Sequence, residues 1–94
     1  MFERDVEKAL VKGIKARGGL CLKWVCPGQR GVPDRIVVMP GGRVWFVELK
    51  APRGTLRPWQ KRFHKAMEKV GGAGLTVLVL RSYDDVSSFL GHIA

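Results

Sequence analysis

The stretch GVPDRIVVMPGGRVWFVELK, Gly31 to Lys50, decides how the chain reads. Two apolar runs, Arg35 to Met39 and Arg43 to Val47, flank Pro40-Gly41-Gly42, so the segment is predicted to be a β-hairpin. Charges interrupt it at its open end. Asp34 stands before the first run, and Glu48 and Lys50 close the second. Charge in a segment built for burial is costly unless it is paired or bound to a metal.

Alternation along a strand puts Glu48 and Lys50 on one face and Leu49 on the other. Folding at Gly41 then brings Asp34 and Glu48 to the same end of neighbouring strands. Two close carboxylates repel and raise a pKa unless a cation sits between them. Hard oxygen ligands with positions left open for water suit Mg²⁺ or Mn²⁺. A lysine beside them is placed to orient a water or to stabilise charge on a phosphate. Alone, Glu-x-Lys at a strand end is usually an ion pair and Pro-Asp usually a turn. Their combination at this spacing in a basic chain points to a divalent-metal site.

Working outward, Phe2, Val6, Ala9, Leu10, Gly13 and Ile14 recur at helical spacing, and Gly18-Gly19 ends that helix. Leu20 to Val25 reads as a first strand, and Pro27 to Gly31 as a loop. After Ala51-Pro52-Arg53-Gly54 comes a second helix with Pro58 in its first turn. Its apolar stripe is Trp59, Phe63, Ala66, Met67 and Val70, and Gly71-Gly72 stops it. Leu75 to Leu80 is so apolar that it predicts a strand covered on both faces. Ser82 and Asp85 form a capping signal for a last helix, Val86 to His92. The order α-β-β-β-α-β-α specifies an α/β domain, residues 1–94, with a mixed sheet flanked by helices.

Seventeen Lys and Arg against eight Asp and Glu give a net charge of +9 and a pI near 10.3, which indicates a polyanionic partner. Arg30 and Arg35 flank the Pro-Asp pair, and Arg53, Arg57, Lys61 and Lys65 follow the hairpin as candidate phosphate contacts. Arg57, Lys61 and Lys65 form an i, i+4 row off the apolar stripe. No base-reading element is evident, so a nucleic-acid partner is expected to be recognised by shape rather than by sequence. No apolar run is long enough to span a membrane, and the charged N-terminus lacks the core of a signal peptide. A cytoplasmic location is expected, with Cys21 and Cys26 reduced. The spacing of Cys21, Cys26, His64 and His92 does not support a zinc site. Nor do these residues support Ser-His-Asp or Cys-His catalysis; the histidines read as structural or exposed. There is no glycine-rich phosphate loop.

Pro33-Asp34 followed by Glu48-Leu49-Lys50 resembles the PD-(D/E)xK nuclease signature. The longer string G-V-P-D-R-I-V-V…F-V-E-L-K-A-P…Q is similar to the VRR-NUC group of that superfamily, especially its small stand-alone phage and prophage members. The resemblance runs from the first helix to the strand at Leu75–Leu80. It implies a restriction-endonuclease-like core, Mg²⁺ or Mn²⁺ dependence, and cleavage of branched DNA in the cytoplasm of a phage's host. It assigns metal binding to Asp34, Glu48 and the main-chain carbonyl of Leu49, and help to the attacking water to Lys50. Gln60 matches the family's glutamine. An acidic residue of the first helix should complete the site: Glu7, which borders Leu10 and Ile14, or Glu3 as the alternative. Lys23 either touches the scissile phosphate or is a strand-edge charge.

These expectations add up to a structure-selective endonuclease acting on Holliday junctions, with flaps and splayed arms next. A core this small carries no separate DNA-binding domain. Symmetric cutting of a four-way junction requires two sites, which a twofold homodimer supplies. The rival is a branched-DNA-binding module that keeps the fold without cutting. A third alternative is a basic structural protein whose hairpin charges merely pair with one another.

Overall fold

The computed structural model describes residues 2–93. Its elements are α1 (Glu3–Ala16), β1 (Leu20–Lys23), β2 (Arg35–Met39), β3 (Arg43–Leu49), α2 (Pro58–Gly71), β4 (Val77–Leu80) and α3 (Tyr83–Ile93), with a 3-10 turn at Gly72–Gly74. The expected order is therefore observed. The sheet runs β1-β2-β3-β4. The first two pairings are antiparallel and β3–β4 is parallel. A parallel neighbour needs a crossover, and the segment carrying α2 provides it.

Local chemistry sets the boundaries. Gly18, at φ +77°, ends α1: its N–H donates to Lys15 O, and Gly19 N–H donates to Ile14 O. This is a Schellman closure, which requires a left-handed residue that glycine adopts without strain. The hairpin turns at Pro40-Gly41-Gly42, where Gly42 N–H donates to Met39 O and Gly41 lies at φ +92°. Pro then Gly with positive φ is the type II pattern. At α3, the Ser82 hydroxyl accepts from Asp85 N–H, and the Asp85 carboxylate accepts from Arg81 N–H. The predicted capping signal is thus realised, one turn earlier than the apolar pattern began.

The core lies on one face of the sheet. Val6, Leu10 and Ile14 of α1 meet Val86, Phe89, Leu90 and Ile93 of α3 over Val37, Met39, Val47, Leu49 and Leu80. Trp45 joins this layer edge-to-face with Phe89. No residue of α2 belongs to this buried cluster. Alternation turns Glu48 to the opposite face, where α2 begins. Away from α2 that face stays open, and Leu20, Leu22 and Val44 are 58%, 46% and 49% exposed.

Two expectations change. β4 is not covered on both faces: Val77, Leu78 and Val79 are half-buried and only Leu80 is buried. It is an edge strand on a sheet whose second face is only partly roofed. Phe2 does not join the α1 stripe; it is 64% exposed at the helix entrance, with the Arg4 guanidinium over its ring.

Candidate active site at the open end of the hairpin

The hairpin register fixes the two carboxylates. Arg35 pairs with Val47, so the preceding Asp34 meets the end of β3. The Asp34 Oδ2 accepts from Leu49 N–H at 2.8 Å, and its carbonyl accepts from Trp24 N–H at 3.0 Å. Pro33 before it is fully buried. Asp34 is therefore held across the β2–β3 end by backbone on both sides.

Glu48 is 1% exposed. Its Oε2 accepts from Gln60 Nε2 at 2.9 Å and pairs with Lys50 Nζ at 3.3 Å. Its Oε1 is buried without a hydrogen-bond partner. Burial, reinforced by the neighbouring Asp34 and by Glu3, pushes the Glu48 carboxyl up to about 7 despite the pull of Lys50. A buried carboxylate oxygen with no donor is a costly arrangement that a cation relieves. Among the described residues no three Asp, Glu, His or Cys side chains form a ready metal cluster. The side chains here thus offer two carboxylates, a donor set that fits a hard divalent ion retaining waters.

Gln60 fixes Glu48 from the helix side. It sits at the third position of α2, where its Oε1 accepts from Arg57 N–H at 2.8 Å while its NH₂ reaches Glu48. The capping bond and the carboxylate contact together orient the amide. One turn on lies His64, 5% exposed, with Nε2 unpartnered. Burial lowers its pKa, against a backbone hydrogen bond at Gly31 and the charges of Glu68 and Asp34. His64 is thus a buried neighbour of the site rather than an exposed histidine. Only its i, i+4 spacing from Gln60 could have signalled this. Arg81, unremarked in the sequence, donates from Nε to Gly54 O and ties the loop before α2 to β4.

The two α1 carboxylates part company. Glu7 accepts from Arg35 Nε at 3.0 Å, and Arg35 also donates to Cys21 O at 3.1 Å. The candidate phosphate contact Arg35 is therefore committed internally, its side chain 16% exposed. Glu3, on the exposed first turn of α1, has its pKa raised by partial desolvation and by the charges of Asp34 and Glu7, while Lys50 lowers it. Of the remaining basic candidates, Lys23, Arg30, Arg53, Arg57, Lys61 and Lys65 are exposed. Arg30 stacks on Trp59, its Cζ 3.8 Å from the ring centroid. Cys21 and Cys26 are unpaired and half-buried. No helix among the described residues is long and apolar enough to cross a membrane.

No protein-family model matches the chain. A curated relative from Acyrthosiphon pisum secondary endosymbiont phage 1, named "Putative nuclease p44", is 44% identical over 88 residues, which span 94% of this chain and 90% of that protein. A solved structure described as a VRR-NUC domain superposes with a TM-score of 0.85 at 33% identity, covering 98% of this chain and 97% of its own.

Proposed function

The chain belongs to the VRR-NUC nuclease family, and from that premise we propose that it is a divalent-metal-dependent endonuclease hydrolysing phosphodiester bonds in branched DNA, with a Holliday junction as its preferred substrate. The observation that carries this reading is Glu48, buried beside Asp34 with one carboxylate oxygen unpartnered and the other held by Lys50 and Gln60.

In this reading Asp34, Glu48 and the main-chain carbonyl of Leu49 would hold Mg²⁺ or Mn²⁺, which would supply Lewis-acid polarisation of the phosphate and a lowered water pKa. Glu48 must first give up the proton that burial lets it keep to about pH 7. Lys50, tethered at 3.3 Å to Glu48, orients the attacking water and offsets charge on the phosphate. Gln60 keeps Glu48 from rotating away. Glu3 completes the acidic set in preference to Glu7, whose charge Arg35 already neutralises.

The duplex arms contact Arg53, Arg57, Lys61 and Lys65, together with Lys23 and Arg30. A homodimer brings the second active site that symmetric junction cutting requires. The open sheet face bearing Leu20, Leu22 and Val44 supports that assembly, because it offers apolar area and no charge in a molecule of net +9.

The test is cleavage of end-labelled four-way junction, 5′-flap and linear duplex DNA with Mg²⁺, Mn²⁺ or EDTA, alongside Asp34→Ala and Lys50→Ala. Metal-dependent cutting of the junction, lost in both variants, is expected. Tight junction binding without cutting under either metal would replace the enzyme with a binding module.

A further inference from the structure

Beside the site, Gln29, Arg30, Trp59, Arg62, Phe63 and Ala66 line an open cleft of about 320 Å³. Both of its walls continue into the proposed machinery. Arg30 lies on the loop that delivers Pro33-Asp34, and Trp59 precedes Gln60, which holds Glu48.

The cleft is pre-organised. Gly31 adopts φ +89°, and a Cβ there would lie 2.7 Å from the Trp59 carbonyl oxygen, so only glycine lets the loop approach α2 this closely. Gln29 Nε2 donates to Arg30 O at 2.9 Å and fixes the turn. Held this way, the Arg30 guanidinium lies on the indole at 3.8 Å, the distance of a cation–π stack. Its charge is not spent on a carboxylate. The ion pairs among the described residues are Arg35–Glu7 and Lys50–Glu48, which leaves Arg30 and Arg62 without an acidic partner.

A planar cation backed by an aromatic ring, a second guanidinium and an apolar floor of Phe63 and Ala66 match one ligand chemistry well. An unpaired nucleobase stacks on such a plane, and its phosphate pairs with the free cation. The volume is at the lower end for small-molecule sites, which suits a single nucleotide. A base inside a duplex has both faces covered and cannot stack there.

Building on the nuclease reading, we propose that the Arg30–Trp59 cleft binds one nucleotide of the DNA substrate that unpairs at the branch point, its base on the outer face of Arg30 and its phosphate at Arg62. The enzyme thereby recognises the point where strands separate next to the scissile phosphate.

The experiment is anisotropy in EDTA, where neither metal nor cutting intervenes, with a labelled blunt duplex and the same duplex carrying a short single-stranded tail. Wild type should bind the tailed DNA more tightly. An abasic residue at the first unpaired position should remove roughly tenfold, the scale of one stacking contact. Arg30→Lys, which keeps the charge and loses the plane, should remove the same preference and make the abasic change silent. Trp59→Leu should act likewise, and melting curves will show whether it folds; if it does not, Arg30→Lys decides. Equal binding of tailed and blunt DNA by wild type, or an abasic penalty that persists in Arg30→Lys, overturns the inference. If cutting in Mg²⁺ survives that result, only the cleft assignment fails; if no DNA is bound in EDTA and none is cut in Mg²⁺, the nuclease reading fails with it.

Discussion

Gln60 holds Glu48 at 2.9 Å with the same amide whose oxygen caps α2 at Arg57. One side chain thus fixes a helix terminus and a buried carboxylate together. Gln60→Ala should raise the Mg²⁺ concentration for half-maximal cleavage by roughly tenfold, as losses around metal ligands do. It should also remove about 1 kcal/mol of stability through the lost cap. A metal titration of cleavage and a denaturant melt read the two effects separately.

Glu48 gives the site its pH dependence. Its folded pKa, about 7, lies above the ordinary carboxylate value. The neutral form therefore stabilises the fold at low pH, and that contribution is lost as pH rises from about 4.5 through 7. Metal binding needs the ionised form, so affinity should fall about tenfold per unit below pH 7. Mn²⁺ should raise the melting temperature more at pH 8 than at pH 6. Glu48→Gln should melt higher than wild type at pH 8 in EDTA and cut nothing. If it melts lower there, the burial argument fails.

Glu3→Gln and Glu7→Gln should separate cleanly. The first should slow cutting at least tenfold with the melting temperature nearly unchanged. The second frees the half-buried Arg35 and should cost on the order of 1 kcal/mol, between the values for exposed and buried pairs. Equal loss of cutting in both would put Glu7 back in the site.

His64 is held neutral in the fold, with its pKa lowered by burial. The stability this gives is present above about pH 6.5 and lost as pH falls through the lowered value. A wild-type melt should therefore show an acid-side loss that His64→Phe abolishes.

Phosphate contacts are read through salt. Alanine at Arg57, Lys61 or Lys65 should each lower the slope of log affinity against log salt by about 1. An unchanged slope marks that residue as a solvated helix face.

Much of this arrangement was legible because it is local. The Pro40-Gly41-Gly42 turn and the alternation to Glu48 fix the hairpin, and the hairpin fixes where Asp34 meets Leu49. The Gly18-Gly19 stop and the Ser82–Asp85 cap are equally short-range. What could not be read depends on distant partners. Glu3 and Glu7 share one helix face, and what sets them apart is the ion pair of Glu7 with Arg35, 28 residues further along the chain. His64 is buried against a loop more than thirty residues earlier in the chain. The apolar Leu75–Leu80 run says nothing of its place at a sheet edge.

The absence of α2 from the buried core has a consequence for how the molecule moves. Parts of a fold with few buried apolar contacts open at lower free energy than the whole. Hydrogen exchange should therefore show the α2 amides opening at lower free energy than those of the hairpin, α1 and α3. Such opening would part Gln60 from Glu48 and Trp59 from Arg30, the two contacts through which α2 meets the site.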